Sequence, residues 1–206
     1  MKISSILAAE LRVADQLIRN GRIEAVVDRL MFVLSQMDAN NLNYIYECSM
    51  VLRTLSRAAI VSREFPLADR FTRQAIALLE ESHCDVGREF ASLYLDIAEV
   101  LAVLEDCSES HFFAEAALHT LADYPKEFDL DEIAGILRRY STVARKIGSL
   151  STAYLALTVG LIVMQDVSGL DSLMAVEASE LTSLACQAAA PSAIGRLGTI
   201  LLRQAA

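Results

Sequence analysis

The 206-residue chain has no tryptophan, and only three prolines, eight glycines and three histidines. That poverty, with 54% hydrophobic and 22% charged residues, excludes a disordered tail, a collagen-like rod and a Pro-rich linker. Positive charge is also short: 18 basic residues face 27 acidic ones, for a net charge of −9. A generic nucleic-acid binder is therefore excluded, and no nucleic-acid partner is expected. The basic side chains are 15 arginines and three lysines, a bias that points to a GC-rich genome and nothing more; a bacterial source is a separate expectation. An apolar fraction above the usual half requires a large core or a partner surface.

Cysteine is sparse and scattered. Cys48, Cys84, Cys107 and Cys186 lie 36, 23 and 79 residues apart, with no C-x-x-C spacing for zinc or redox chemistry. Buried structural thiols are the expectation, with a disulfide pair as the other option. The N-terminal run reaches Glu10 and Arg12 after a short apolar stretch, unlike a signal peptide. A cytoplasmic setting is expected. Residues 147–165 carry no charge over 19 positions, close to the roughly 20 needed to span a bilayer. They also hold Gly148, Ser149, Ser151, Thr152, Thr158, Gly160 and Gln165, and read as a helix buried in a soluble stack.

Catalytic and cofactor motifs are missing. No phosphate-cradling G-x-x-x-x-G-K-[ST] or G-x-G-x-x-G loop and no G-x-S-x-G elbow occurs. His111, Glu115 and His119 share a helix at i, i+4, i+8, but the third drifts around the axis and no cysteine completes a shell. Glu80 and His83 form half of a di-iron motif whose second copy is absent. The expectation is a protein without metal, cofactor or catalytic residues: not an enzyme.

What the chain does have is helical periodicity. Apolar residues recur at three and four, as in Ile6, Ala9, Val13, Leu17 and in Leu52, Leu55, Ala59. Start and stop signals divide it at short intervals. Asn20-Gly21, Asp38 to Asn41, Pro66, Asp85, Pro125, Gly148, Ser168-Gly169 and Pro191 mark the breaks. Asp129 with Glu132 has the spacing of a reciprocal cap. About ten helices are predicted, at 4–19, 22–38, 41–62, 65–81, 86–104, 108–123, 130–147, 151–166, 170–188 and 192–204. Short connections make neighbours antiparallel, and no linker divides the chain, so one domain over 1–206 is expected.

Every second helix opens with a small residue: Ala25, Ala68, Ser110, Ala153 and Ala193, at intervals of 43, 42, 43 and 40. Ala75, Ala117 and Gly160 follow seven residues on, two turns along the same face, where a neighbour can approach closely. Leu52, Leu55, Ser56, Ala59, Ala68 and Ala75 form one set with aligned counterparts. Tyr94, Ile97, Ala98, Leu101, Ser110 and Ala117 form a second; Leu137, Tyr140, Ser141, Ala144, Ala153 and Gly160 a third. In these sets, over residues 49–166, the chain resembles the tetratricopeptide-repeat (TPR) family, with a period near 42 in place of the family's usual 34 or so. The resemblance implies an all-α, right-handed solenoid of about five antiparallel hairpins, each burying its apolar face on the next.

Charge is uneven along this pattern. Residues 80–132 hold 15 acids against Arg88 and Lys126, whereas 53–79 is +3 and 133–146 is +4. A solvated face is the plain explanation of such runs. The TPR resemblance implies more, because in that family the first helix of each hairpin lines a concave groove. Its groove positions fall here on Arg53, Arg57 and Ile60, then Leu95, Glu99 and Ala102, then Arg138, Thr142 and Arg145. Arginine forks bind carboxylates in a bidentate way, so an acidic segment of a partner protein is the expected ligand. Near the C-terminus, Ile194, Leu197 and Leu201 form an apolar stripe expected to pack on a second copy, as a homodimer, or on a partner; the plain alternative is that the preceding helix of the chain covers it. The function these features imply is a protein–protein interaction module: an adaptor, scaffold or secretion chaperone. The alternative is a regulatory domain that senses a small ligand or signalling peptide.

Overall fold

The computed structural model describes residues 3–37, 44–82, 86–164, 194–197 and 199, and among these it is all-helical, without strands. The longer helices are α1 (Ile3–Arg19), α2 (Ile23–Ser35), α3 (Ile45–Val61), α4 (Phe65–Ser82), α5 (Gly87–Val103), α6 (Cys107–Asp123), α7 (Leu130–Lys146) and α8 (Leu150–Met164). A single 3-10 turn, Pro125–Glu127, precedes α7. The helix expected at 170–188 lies outside the described residues, as do Asp85, Ser168-Gly169 and Pro191. Of the last expected helix, 194–197 and 199 are helical.

Local chemistry sets the helix starts. Asp129 accepts the Glu132 backbone N–H at 2.8 Å, and the Glu132 carboxylate accepts the Asp129 N–H at 3.0 Å. This is the reciprocal cap anticipated from the spacing, and it satisfies two of the four orphan donors at the head of α7. Asp106 caps α6 in the same sense, accepting the Glu109 N–H at 3.1 Å.

The stops of α1, α3, α5 and α7 share one device. Gly21, Arg63, Glu105 and Gly148 all have left-handed backbone, with φ of 70°, 61°, 65° and 82°. They stand 42, 42 and 43 residues apart. After each, the next N–H reaches five residues back: Arg22 to Leu17, Glu64 to Ala59, Asp106 to Leu101 and Ser149 to Ala144, at 2.8–3.0 Å. This is the Schellman closure, which satisfies orphan carbonyls and reverses the chain within a few residues. Glycine adopts that conformation freely, whereas Arg63 and Glu105 carry a Cβ that opposes it by about 1 kcal/mol. Arg63→Gly and Glu105→Gly are each expected to raise the melting temperature by roughly 2–4 °C in thermal denaturation. Lowered melting would show that these side chains hold their turns by other contacts.

Two compact units make up the chain, Met1–Val86 and Gly87–Ala206. In the first, α1 and α2 pack on each other and on α3, and α3 packs on α4. In the second, α5 and α6 pack on each other and on α7, and α7 packs on α8. Small residues allow the close crossings: Ala68, Ala75 and Ala117 are completely buried, and Ala153 nearly so. Serines stitch the same crossing in opposite directions. Ser56 Oγ of α3 donates to the Ala68 carbonyl of α4 at 3.1 Å, and Ser110 Oγ of α6 to the Ala98 carbonyl of α5 at 2.8 Å. Buried hydroxyls are thereby satisfied, and no described buried side-chain polar atom lacks a partner.

The core of the second unit gathers Leu95, Leu118, Leu137, Tyr140, Ile194 and Leu197. Its α8 is apolar nearly all round, yet among the described residues no helix is long and apolar enough to cross a membrane.

Candidate functional site

Helix α7 divides its side chains sharply. Leu137, Tyr140, Val143 and Ala144 are buried in the second unit's core. Arg138, Thr142 and Arg145 lie at i, i+4 and i+7, which on a helix of 3.6 residues per turn forms one stripe. Arg138 and Arg145 are exposed and, among the described residues, make no ion pair; Lys146 is exposed beside them. The Thr142 hydroxyl donates to the Arg138 carbonyl at 3.1 Å, so it faces the same stripe with an acceptor oxygen to spare.

Between the stripe and the core sits a cluster that sequence reasoning missed. Arg139 Nη2 donates to Asp96 Oδ1 at 2.6 Å and its Nε to Glu99 Oε1 at 2.7 Å, both carboxylates standing on α5. Asp96 is almost wholly buried. Burial opposes the Arg139 charge, but Asp96 and Glu99 outweigh it and hold the guanidinium well above its ordinary pKa. Next to it, Tyr140 donates its hydroxyl hydrogen to Glu115 Oε1 of α6 at 2.6 Å. Burial, reinforced by that bond and by the Glu115 charge, pushes the phenol far above its usual range.

The raised Tyr140 pKa has a pH consequence. A group that holds its proton more tightly when folded stabilises the fold fully below its unfolded pKa, about 10 for tyrosine. That contribution is lost as pH rises above this value toward the folded pKa. Tyr140→Phe is therefore expected to flatten the fall in stability above about pH 10, measured by urea denaturation across the alkaline range. At neutral pH it costs about 1–2 kcal/mol, because the hydrogen bond to Glu115 is gone. An unchanged alkaline limb in the variant would show that Tyr140 does not govern it.

The other expected groove positions fare differently. Arg57 is exposed but pairs with Asp15 of α1 at 2.8 Å, while Arg53 and Ile60 are half-buried. Glu99 is half-buried and neutralised by Arg139, so the acidic step expected between basic ones is already internally matched. Leu95 corrects the expectation outright. It is completely buried in the core and lines no open surface, because α5 turns that face toward its neighbours in the second unit. Ile194 and Leu197 are corrected likewise: both are completely buried against the same core and are not offered to a second copy. Leu201 lies outside the described residues.

Two members of the histidine stripe, Glu115 and His119, are engaged within the unit. Glu115 accepts from Tyr140, and the Arg196 guanidinium lies 2.8 Å from His119 Nδ1, a cation where a metal ligand would need none. Among the described residues no group of three or more His, Cys, Asp or Glu is placed to hold a metal ion.

The signal for the missed pairs was present in the repeat register. Asp15 and Arg57 stand 42 apart, and Asp96 and Arg139 stand 43 apart. Opposite charges thus occupy equivalent positions of successive first helices. No protein-family model matches the chain, and no curated protein sequence matches it significantly.

Proposed function

We propose that this chain is a non-enzymatic protein-interaction module of the cytoplasm, acting as an adaptor, scaffold or chaperone. In this reading its hairpins are divergent TPR-like units of one right-handed α-solenoid over 1–206. The nearest-neighbour packing within each unit and the shared left-handed turns support that architecture. The ligand is an acidic segment of a partner protein, held on the Arg138, Thr142 and Arg145 stripe of α7.

One observation carries the reading. Arg57 and Arg139 have carboxylates of their own, whereas Arg138 and Arg145 stand exposed without one among the described residues. An arginine fork left in water on a rigid helix is ready for a bidentate carboxylate at little ordering cost. The test is capture of partners from the source cells, comparing wild type with Arg138→Glu/Arg145→Glu. Both positions are solvent-facing, so melting temperature should hold while one specific partner is lost. Retention of every partner would refute the assignment.

A second reading, a domain that senses a small ligand or signalling peptide, rests on a separate feature. An apolar cleft of about 520 Å³ lies among Ile6, Leu7, Phe32, Val33, Met37 and Tyr44 of the first unit. That volume is ordinary for a small-molecule pocket. A ligand panel that raises the melting temperature of wild type, but not of Val33→Trp, would favour it.

A further inference from the structure

A second cleft, of about 770 Å³, opens between the first turns of α2 and α4, with Leu55 and Ala59 of α3 as its floor. Val27 forms one wall, and Leu67 and Phe71 the other. Its rim is acidic on both sides: Glu24 and Asp28 on α2, and Glu64 at the head of α4. All three are exposed and, among the described residues, make no ion pair; Arg22 is the one cation in the lining. The positive ends of two helices give Glu24 and Glu64 a local reason to be there. Asp28 lies a full turn further along α2, beyond that influence.

We infer that this cleft docks a basic amphipathic helix of a partner protein, its apolar face on the half-buried Ile23, Val27 and Leu67 and its Lys or Arg residues on Glu24, Asp28 and Glu64. Size agrees with this. An open cleft of about 770 Å³ is large enough to receive one face of a helix about 10 Å across. Charge agrees as well, since acids on opposite walls match cations flanking both edges of one apolar stripe. The site is independent of the α7 stripe: it lies in the other unit and selects the opposite charge.

The probe is a short helical peptide of leucine and lysine, dye-labelled, with its leucines on one face, titrated against the full chain by fluorescence anisotropy. Wild type should bind it and should ignore the same peptide with glutamate for lysine. Glu24→Gln/Asp28→Asn/Glu64→Gln should weaken binding about tenfold, as expected for the loss of three exposed ion pairs. Ala25→Phe, at a half-buried lining position, keeps every acid and fills the cleft; it should weaken binding by a similar factor. Asp123→Asn/Asp131→Asn, which removes exposed acids of the second unit, should stay within about twofold of wild type. Absence of binding by wild type overturns the inference. Equal loss in the second-unit control, or full binding by either cleft variant that melts like wild type, overturns it too. None of these outcomes bears on Arg138 or Arg145.

Discussion

Replacing Arg139 with alanine is expected to cost the second unit about 3 kcal/mol, the low end of what breaking a buried ion pair costs. The reason is the charge pairing it removes. Asp96, with 8% of its side chain exposed, would lose the cation that offsets the cost of its burial. Glu99 is a third exposed and can turn to solvent, so it adds little. Arg139→Met/Asp96→Leu, which removes both charges and fills the space, should recover most of the loss. Urea denaturation of the three proteins reads this directly. A loss below about 1 kcal/mol in the alanine variant would mean that the pair behaves like a surface one.

Leu197→Ala carries a similar cost, about 3 kcal/mol, and decides between two roles for the C-terminal segment. Leu197 is completely buried in a core that also holds Leu118, Leu137 and Tyr140. Truncating it leaves a cavity in the chain itself, so stability should fall while the sedimentation profile keeps its oligomeric state. An interface leucine would give the converse, with unchanged unfolding and a shifted association equilibrium. That converse would contradict the burial assigned to Leu197.

Much of the fold was legible because helices announce themselves locally. Pro66, Asp129 with Glu132, and Gly148 placed α4, α7 and the α7–α8 turn within a residue or so. The expected end of α2 ran beyond its observed last residue, Ser35, because no proline or glycine closes that helix. Two of the four left-handed turns escaped notice for a related reason. Arg63 and Glu105 occupy the glycine position without being glycine, so only the 42-residue register could reveal them.

The candidate site was legible in charge but not in pairing. Helical spacing correctly grouped Arg138, Thr142 and Arg145 on one stripe. It could not tell that Arg139, one residue away, turns some 100° toward α5 and takes up Asp96 and Glu99. Nor could it tell that Leu95 belongs inside. A TPR-like groove position and a core position differ by one step around the helix, and that rotation is set by tertiary packing.

The most direct measurement places a photo-reactive benzoylphenylalanine at Thr142, between the two exposed arginines, and irradiates the source cells. If the α7 stripe grips an acidic partner segment, one dominant adduct forms and its peptide is rich in Asp and Glu. The same adduct should vanish when Arg138→Glu/Arg145→Glu is added. An adduct that survives those changes, or a captured segment without acidic residues, would contradict the assignment of α7 as the binding face.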